Sequence, residues 1–240
     1  MEIIKVKDYD EMSEKACSYI VEKIKELQEP VLGLATGSTP EGLYDRLIQQ
    51  NKEQNVSFKN VSTFNLDEYV GLGNDDPNSY HYYMNEKLFK HIDIDKNNVN
   101  LPNGVAKDLD KECQDYEKKI IDAKKVDVQV LGIGINGHIG FNEPGTAFTS
   151  RTHVVDLDES TREANARFFA SLEEVPKKAI TMGIDSIMQS KEILLLVSGS
   201  SKSEALDRLL NGEVSEEFPA SILQKHSNVM IIADEAALNG

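Results

Sequence analysis

Short apolar runs alternate with longer stretches of helical periodicity along almost the whole chain, and no other feature constrains its fold as tightly. "VLGLA" (31–35), "VSTFNL" (61–66), "VDVQVLGIG" (126–134), "EILLLVS" (192–198) and "NVMIIAD" (228–234) read as strands, and "KKAITMGI" (177–184) starts as one. The run at 126–134 is apolar almost throughout, as a parallel strand covered on both faces must be. Helical spacing marks 8–27, where Met12, Ala16, Tyr19, Ile20, Ile24 and Leu27 share a face, and 40–50, with Pro40 at its first position. It also marks 79–92, capped by Asn78 or Ser79, then 109–123, 158–172 and 202–210, with a short helix in "DSIMQS" (185–190). Alternating strands and helices predict an α/β fold, a mostly parallel sheet with helices on both faces. No internal repeat, low-complexity tract or linker interrupts the pattern, so residues 1–240 are expected to form a single domain.

Charge narrows the partners. The formal net charge is −15. Nucleic acid and anionic membrane surfaces need a basic face, so neither is expected. An anionic small molecule would need a few cations gathered at its site against a repulsive background. The first residues, "MEIIKVKDYDEM", lack the apolar stretch of a secretory signal, and runs such as "ILLLV" are too short to span a bilayer. Cys17 and Cys113 stand alone, outside any C-x-x-C pair. The expectation is a cytoplasmic protein with two reduced thiols. Monomer and homo-oligomer both stay open.

In an open parallel sheet ligands bind beyond the carboxyl ends of the strands. Four strands here run into polar or glycine-rich loops. The first, "TGSTP" (36–40), offers the free backbone of Gly37, the hydroxyls of Thr36, Ser38 and Thr39, and a helix N-terminus, which together suit an anion. It has neither the Walker lysine nor a G-x-G-x-x-G pattern, so a nucleotide is not the obvious ligand. A capped turn would use the same residues. "SGSSK" (198–202) repeats the arrangement with Lys202 at a helix start, and two such loops at neighbouring strand ends favour a phosphorylated small molecule. "NLDEYVGL" (65–72) places Asp67 and Glu68 at a strand end. Either could be a general base, because alternation says only that they point to opposite faces.

The densest stretch is "GINGHIGFNEPG" (134–145), which sets one of the chain's five histidines among glycines. Glycine lets backbone come close to a ligand and adopts positive φ. Near His138, Glu143 can orient and charge-stabilise the imidazole and Asn136 can hydrogen-bond it, which suits a proton shuttle. His81, His91, His153 and His226 read as surface or packing residues. No cysteine or second histidine lies close in sequence to His138, so no metal is expected there.

Taken together, "GLATGSTPEGLY", "FNLDEYVGL", "SYHYYMNEKLF", "LGIGINGHIGFNEPG", "SRTHVVDLDESTREANARFF", "AITMGI" and "LLLVSGSSKSEAL" resemble the glucosamine-6-phosphate deaminase family over essentially the whole chain. The resemblance implies a modified Rossmann-like fold, a phosphosugar substrate and no cofactor. It implies conversion of glucosamine 6-phosphate and water to fructose 6-phosphate and ammonia. By the same resemblance Asp67 is the base that moves a proton from C2 to C1, and His138 assists ring opening with Asn136 and Glu143. Gly37, Ser38 and Thr39 match the phosphate loop, and Arg167 and Lys202 match the cations that hold the same phosphate. Many relatives carry aspartate where Asn136 stands, and allosterically regulated ones carry arginine and lysine where this chain has His153 and Val155. An activated response is therefore not expected. The nearest rival enzyme, 6-phosphogluconolactonase, has a related phosphate loop but needs no base at C2. A non-catalytic phosphosugar sensor would need a DNA-binding module, for which neither terminus is expected to have room.

Overall fold

In chain order the first elements are β1 (Glu2–Val6), α1 (Tyr9–Glu26), β2 (Val31–Leu34), α2 (Glu41–Lys52), β3 (Ser62–Asn65), β4 (Asp67–Tyr69), α3 (Tyr80–Lys87) and β5 (Val99–Asn100). Then come α4 (Leu109–Asp122), β6 (Val128–Leu131), β7 (His153–Asp156), α5 (Glu159–Asn165), β8 (Lys178–Thr181), α6 (Ile184–Met188), β9 (Glu192–Val197), α7 (Ser203–Asn211), β10 (Val229–Asp234) and α8 (Glu235–Asn239). The computed structural model describes residues 1–157, 159–166, 169 and 171–240.

Seven strands form one parallel sheet in the order β1-β10-β9-β6-β2-β3-β5. From β2 the chain proceeds outward to β3 and β5, then returns to the other side of β2 as β6. The strand order therefore reverses between β2 and β6, and a crevice opens at their carboxyl ends, the place where such sheets bind ligands. Both strands are buried along their whole length.

Alternation along the strands divides the core in two. Leu32, Leu34, Val128, Val130, Leu194, Leu196 and Ile232 pack with Met12, Ala16 and Ile20 of α1, Leu43 and Leu47 of α2, and Met84 of α3. Val31, Leu131, Ile193, Leu195, Ile231 and Ala233 pack with Tyr116 and Ile120 of α4, Ile187 of α6, Leu206 and Leu209 of α7, and Ala237 of α8. Helices thus cover both faces, as the periodicity predicts. Caps fix several starts: Asp8 accepts from Glu11 N at 3.0 Å, Ser79 from Tyr82 N at 3.1 Å and Asp108 from Lys111 N at 2.9 Å. No helix among the described residues is long and apolar enough to cross a membrane.

The main departure from the sequence reading is a second sheet. The 177–184 run becomes β8, but it pairs antiparallel with β4 on one side and β7 on the other, outside the parallel sheet. Both partners are short, and β4 follows β3 after one residue, where the sequence reading ends its strand at Leu66 and takes Asp67 and Glu68 as part of the loop beyond it. The helix expected over 158–172 is assigned only over Glu159–Asn165, followed by a 3₁₀ turn at Leu172–Glu174. Helix α3 stops at Lys87 and a 3₁₀ turn continues at Phe89–His91. Pro40 precedes the first helical residue of α2 rather than occupying it.

The two sheets meet at a point that admits no side chain. Gly71 N donates to Gly104 O at 2.8 Å, and a Cβ on Gly104 would run into the carbonyl oxygen of Tyr69 at the end of β4. Because the obstacle is backbone, β4 itself would have to move. Gly104→Ala is expected to cost about 1–3 kcal/mol of stability, as overpacking does. Gly73→Ala, with nothing within 4 Å of the new methyl group, should stay within about 0.5 kcal/mol of the parent. Urea unfolding midpoints of the two variants check this.

Candidate active site

Three loops enter the crevice, and tyrosines shape the first. Tyr44 Oη donates to Ala35 O at 2.5 Å, Tyr83 Oη to Gly37 O at 2.6 Å and Tyr9 Oη to Ser38 O at 2.8 Å. The carbonyls between β2 and α2 are thereby held from behind. Gly37 takes φ +94°, which favours glycine. No acceptor among the described residues takes the N–H groups of Gly37, Ser38 or Thr39. A turn with occupied carbonyls and free N–H groups at a helix start is an anion cradle.

The second loop, 198–202, is tied down at two of its N–H groups. Gly199 N donates to both carboxylate oxygens of Asp234 at 3.1 Å, and Lys202 N to Gly199 O at 3.0 Å. The N–H groups of Gly199 and Lys202 are thus occupied, whereas those of Ser200 and Ser201 meet no acceptor among the described residues and stand beside the Lys202 side chain. Lys202 Nζ donates to Ile133 O at 2.8 Å, and burial holds its ammonium below the usual lysine range. Of the two cations expected at the phosphate, Arg167 lies outside the described residues.

The third loop, from the end of β6 to Gly145, touches every other part of the site. A Cβ on Gly132 would stand 4.0 Å from Thr39 Oγ1, Ile133 holds Lys202, and a Cβ on Gly134 would occupy the space of the His138 ring. Gly137 adopts φ +85° with Phe218 packed where a side chain would project, and its carbonyl accepts from Ala220 N at 2.8 Å. At Gly140, φ is +57° and a Cβ would lie 3.7 Å from Asp67 Oδ2. The glycines around His138 are therefore points of backbone contact with the neighbouring elements.

Glu143 is buried and anchored at both carboxylate oxygens. Asn136 Nδ2 donates to Oε2 at 2.6 Å and Thr161 Oγ1 to Oε1 at 2.8 Å, while His138 Nδ1 stands 3.5 Å from Oε2. Burial works to raise this carboxyl, but His138, then Thr161 and Asn136, outweigh it and bring it down to about 2. Glu143 is thus a fixed anion beside the imidazole. Asn136 departs from expectation: its Oδ1 accepts from the backbone N–H of His138 at 3.2 Å, so it holds the main chain and the carboxylate rather than the ring. The contribution of Thr161, on α5, is not legible in the sequence, because a helical threonine has no pattern that points across eighteen residues to a carboxylate.

Asp67 and Glu68, indistinguishable by alternation, are sharply different in place. Asp67 begins β4, is buried and has no hydrogen-bond partner among the described residues. Burial, then the charge of Glu68, push its carboxyl up to about 8. Glu68 points the other way and is fully occupied by α3: Tyr69 N and Tyr80 N donate to Oε1 at 2.8 and 3.0 Å, and His81 N to Oε2 at 2.9 Å. Of the pair, only Asp67 is free to take a proton. Tyr69, Tyr80 and Phe141 pack beside it, Tyr80 and Phe141 stacked at 6.2 Å. His153 and Val155 lie on β7, the edge strand of the antiparallel sheet. His153 Nδ1 contacts Arg151 O at 2.8 Å, and Val155 packs against the Tyr69 and Phe141 cluster.

Comparison with known proteins agrees with this geometry. The family described as glucosamine-6-phosphate isomerases/6-phosphogluconolactonase matches residues 7–232. A glucosamine-6-phosphate deaminase of Oceanobacillus iheyensis is 66% identical over 99% of this chain and 95% of its own length. Glucosamine-6-phosphate deaminase 1 of Bacillus subtilis is 54% identical over 99% of this chain and 98% of its own. A solved structure of a monomeric glucosamine-6-phosphate deaminase superposes with a TM-score of 0.97 at 54% identity, covering 99% of this chain and 98% of that one. The 6-phosphogluconolactonase of Thermotoga maritima shares the fold, with a TM-score of 0.76 at 22% identity over 98% of this chain and 99% of its own. Fold, matched span and identity all agree, and the chain belongs to the glucosamine-6-phosphate isomerase/6-phosphogluconolactonase family, among its glucosamine-6-phosphate deaminases.

Proposed function

We propose that this chain, acting as one domain over residues 1–240 in the cytoplasm, is a glucosamine-6-phosphate deaminase. It converts glucosamine 6-phosphate and water to fructose 6-phosphate and ammonia. The observation that carries the reading is the buried, unpartnered carboxylate of Asp67 beside the loop that also bears the His138–Glu143 pair. Hydrolysis of a lactone needs no base at C2, whereas an aldose–ketose isomerisation does.

The free N–H groups of Gly37, Ser38 and Thr39, with Lys202, suit the substrate phosphate, and Arg167 is proposed to join them. This grip is remote from the reacting carbons and acts by orientation. His138 carries the proton of the ring oxygen as the pyranose opens, with the fixed charge of Glu143 3.5 Å from its Nδ1. Opening creates an aldehyde, which acidifies the C2 proton. Asp67 removes that proton, an enolamine forms, and return of the proton to C1 leaves an imine at C2. Water adds to the imine carbon and ammonia leaves, giving the ketose. A carboxylate with its basicity raised by burial is suited to the C2 step at neutral pH.

Incubation with glucosamine 6-phosphate should release ammonia and fructose 6-phosphate in equal amounts. No ammonia, with hydrolysis of 6-phosphogluconolactone instead, would overturn the proposal. Asp67→Asn keeps the shape of the base without its proton affinity. It should lower turnover by about a hundredfold or more with KM roughly kept, and abolish solvent exchange of the C2 proton.

The same residue predicts a pH-dependent stability change. An unfolded aspartate titrates near 4, and the folded protein holds the Asp67 proton up to about 8. Between these values the native state binds more protons than the unfolded chain, so this residue costs stability progressively as pH rises from 4 to 8. Asparagine carries no such penalty. The melting temperature of Asp67→Asn relative to the parent should therefore climb between pH 5 and pH 8.5, and a difference that stays flat would contradict the assigned environment.

A further inference from the structure

Glu68 has an environment that its neighbour lacks. It is completely buried, yet both carboxylate oxygens are occupied by donors. Two of these donors are the first N–H groups of α3, and Ser79 takes the third, from Tyr82 N at 3.1 Å. The positive end of a helix dipole thus faces the carboxylate. His81 closes the set: its Nδ1 lies 2.8 Å from Glu68 Oε2, on the same oxygen that its own N–H reaches. The sequence reading left His81 as a surface or packing residue, and the pattern of a helical histidine carries no hint of this contact.

The arrangement does two things to Asp67. It fixes the backbone, because Glu68 ties the middle of β4 to α3 while β8 holds the other edge through the Asp67–Thr181 pairing. It also sets a charge one residue away on the opposite face of the strand. Tyr69 on the same strand, Tyr80 on α3 and Tyr116 on α4 are the ionisable groups that sense Asp67, and burial keeps all three phenols protonated. The loop from β6 approaches Asp67 through Gly140, and β8 through Thr181, so neither brings a charge to the contact. Glu68 is then the anion that acts on Asp67, and His81 is the side chain that tempers it.

We propose that Glu68, clamped by the first turn of α3 and by His81, is a positioning residue that sets the direction and the basicity of Asp67. The inference rests on the reading of Asp67 as the C2 base. It reaches beyond that reading by making α3 and His81 part of the proton-transfer apparatus.

The test is the titration of Asp67 in the free protein, followed by carboxyl ¹³C resonance in aspartate-labelled protein and assigned by its loss in Asp67→Asn. Glu68→Gln keeps the size of the side chain and the acceptor for Tyr69 and Tyr80 but removes the charge. Asp67 should then titrate about one pH unit or more lower. The rising limb of kcat/KM against pH should move down with it, and the plateau rate should fall as the base weakens. His81→Phe leaves the Glu68 charge and removes its side-chain donor, so the Asp67 titration should move up. An Asp67 titration unmoved in both variants, or moved up in Glu68→Gln, overturns the proposal. If Glu68→Gln does not fold, His81→Phe decides alone: an upward shift supports the proposal, and no shift or a downward one overturns it. Failure of the underlying reading is a separate result, C2 exchange that persists in Asp67→Asn whatever the resonance does.

Discussion

The rest of the site depends on the backbone of residues 132–140 lying against four neighbours at once. Gly132 faces the Thr39 loop, Ile133 holds Lys202, Gly134 lies under the His138 ring, Gly137 under Phe218, and Gly140 beside Asp67. At Gly134 and Gly137 a side chain would collide with the His138 and Phe218 rings. The loop thus acts as a common wall for the proposed phosphate cradle on the parallel sheet and the proposed base on the antiparallel one. Its own shape is kept by two short bonds, Gly134 N to His138 O and Gly137 N to Gly134 O, both 2.9 Å. This shared wall makes the relative placement of the three loops a property of one segment, and the switch between β2 and β6 puts that segment at the crevice.

Electrostatically, the site holds carboxylates in opposite conditions. Glu143 receives donors at both oxygens and stays an anion, whereas Asp67 receives none and is buried beside another acid. The fold gives the N-terminus of α3 to Glu68, although Asp67 is the neighbour that lacks any hydrogen bond. As a stability arrangement this is unfavourable, since a burial-raised acid costs folding free energy wherever it ionises. As a catalytic arrangement it is coherent: a carboxylate satisfied by backbone amides is a poor base, and one deprived of them is a better one. Local rules of folding are broken here at the one residue assigned to proton abstraction, the kind of place where such violations are expected.

The parallel sheet and its helices were legible because their signals are long and regular. Apolar runs at 31–35, 126–134, 192–198 and 228–234 each correspond to a buried strand, and the period over 8–27 corresponds to α1 within a residue or two. The antiparallel sheet was not legible as a sheet. With three residues, β4 is too short to carry a period, and nothing in a sequence says that β8 turns away from its parallel neighbours to pair with it. The site divides the same way. Glycines, His138, Glu143 and the hydroxyl loop declare themselves by composition and spacing, and the family resemblance named Asp67 over Glu68. Residue chemistry alone could not, because the choice depends on which acid meets the N–H groups of a helix twelve residues on. The partner of Asn136 escaped for a similar reason: an amide can bond ring, carboxylate or backbone, and only the turn geometry selects the last two.

An acidic chain that binds an anionic sugar must keep its own charge away from the phosphate, and the topology does so by separating functions between sheets. On the proposed reading the phosphate end uses backbone N–H groups and a desolvated lysine on the parallel sheet, where the carboxylate of Asp234 already accepts from Ser198, Gly199 and Ala237. The reacting end uses Asp67 on β4 and Glu143 in the β6 loop, and their charges are confined by burial or by donors. A lysine kept below its ordinary basicity gains most from an arriving anion, because the phosphate restores the charge that burial disfavours. In the proposed complex, binding therefore strengthens the cation that binds, while the sugar carbons would be delivered to a base on a different sheet. The parallel sheet and the strand that carries Asp67 are linked through the loop over residues 132–140, and the fold alone, which a lactonase shares, does not fix the chemistry carried at either end.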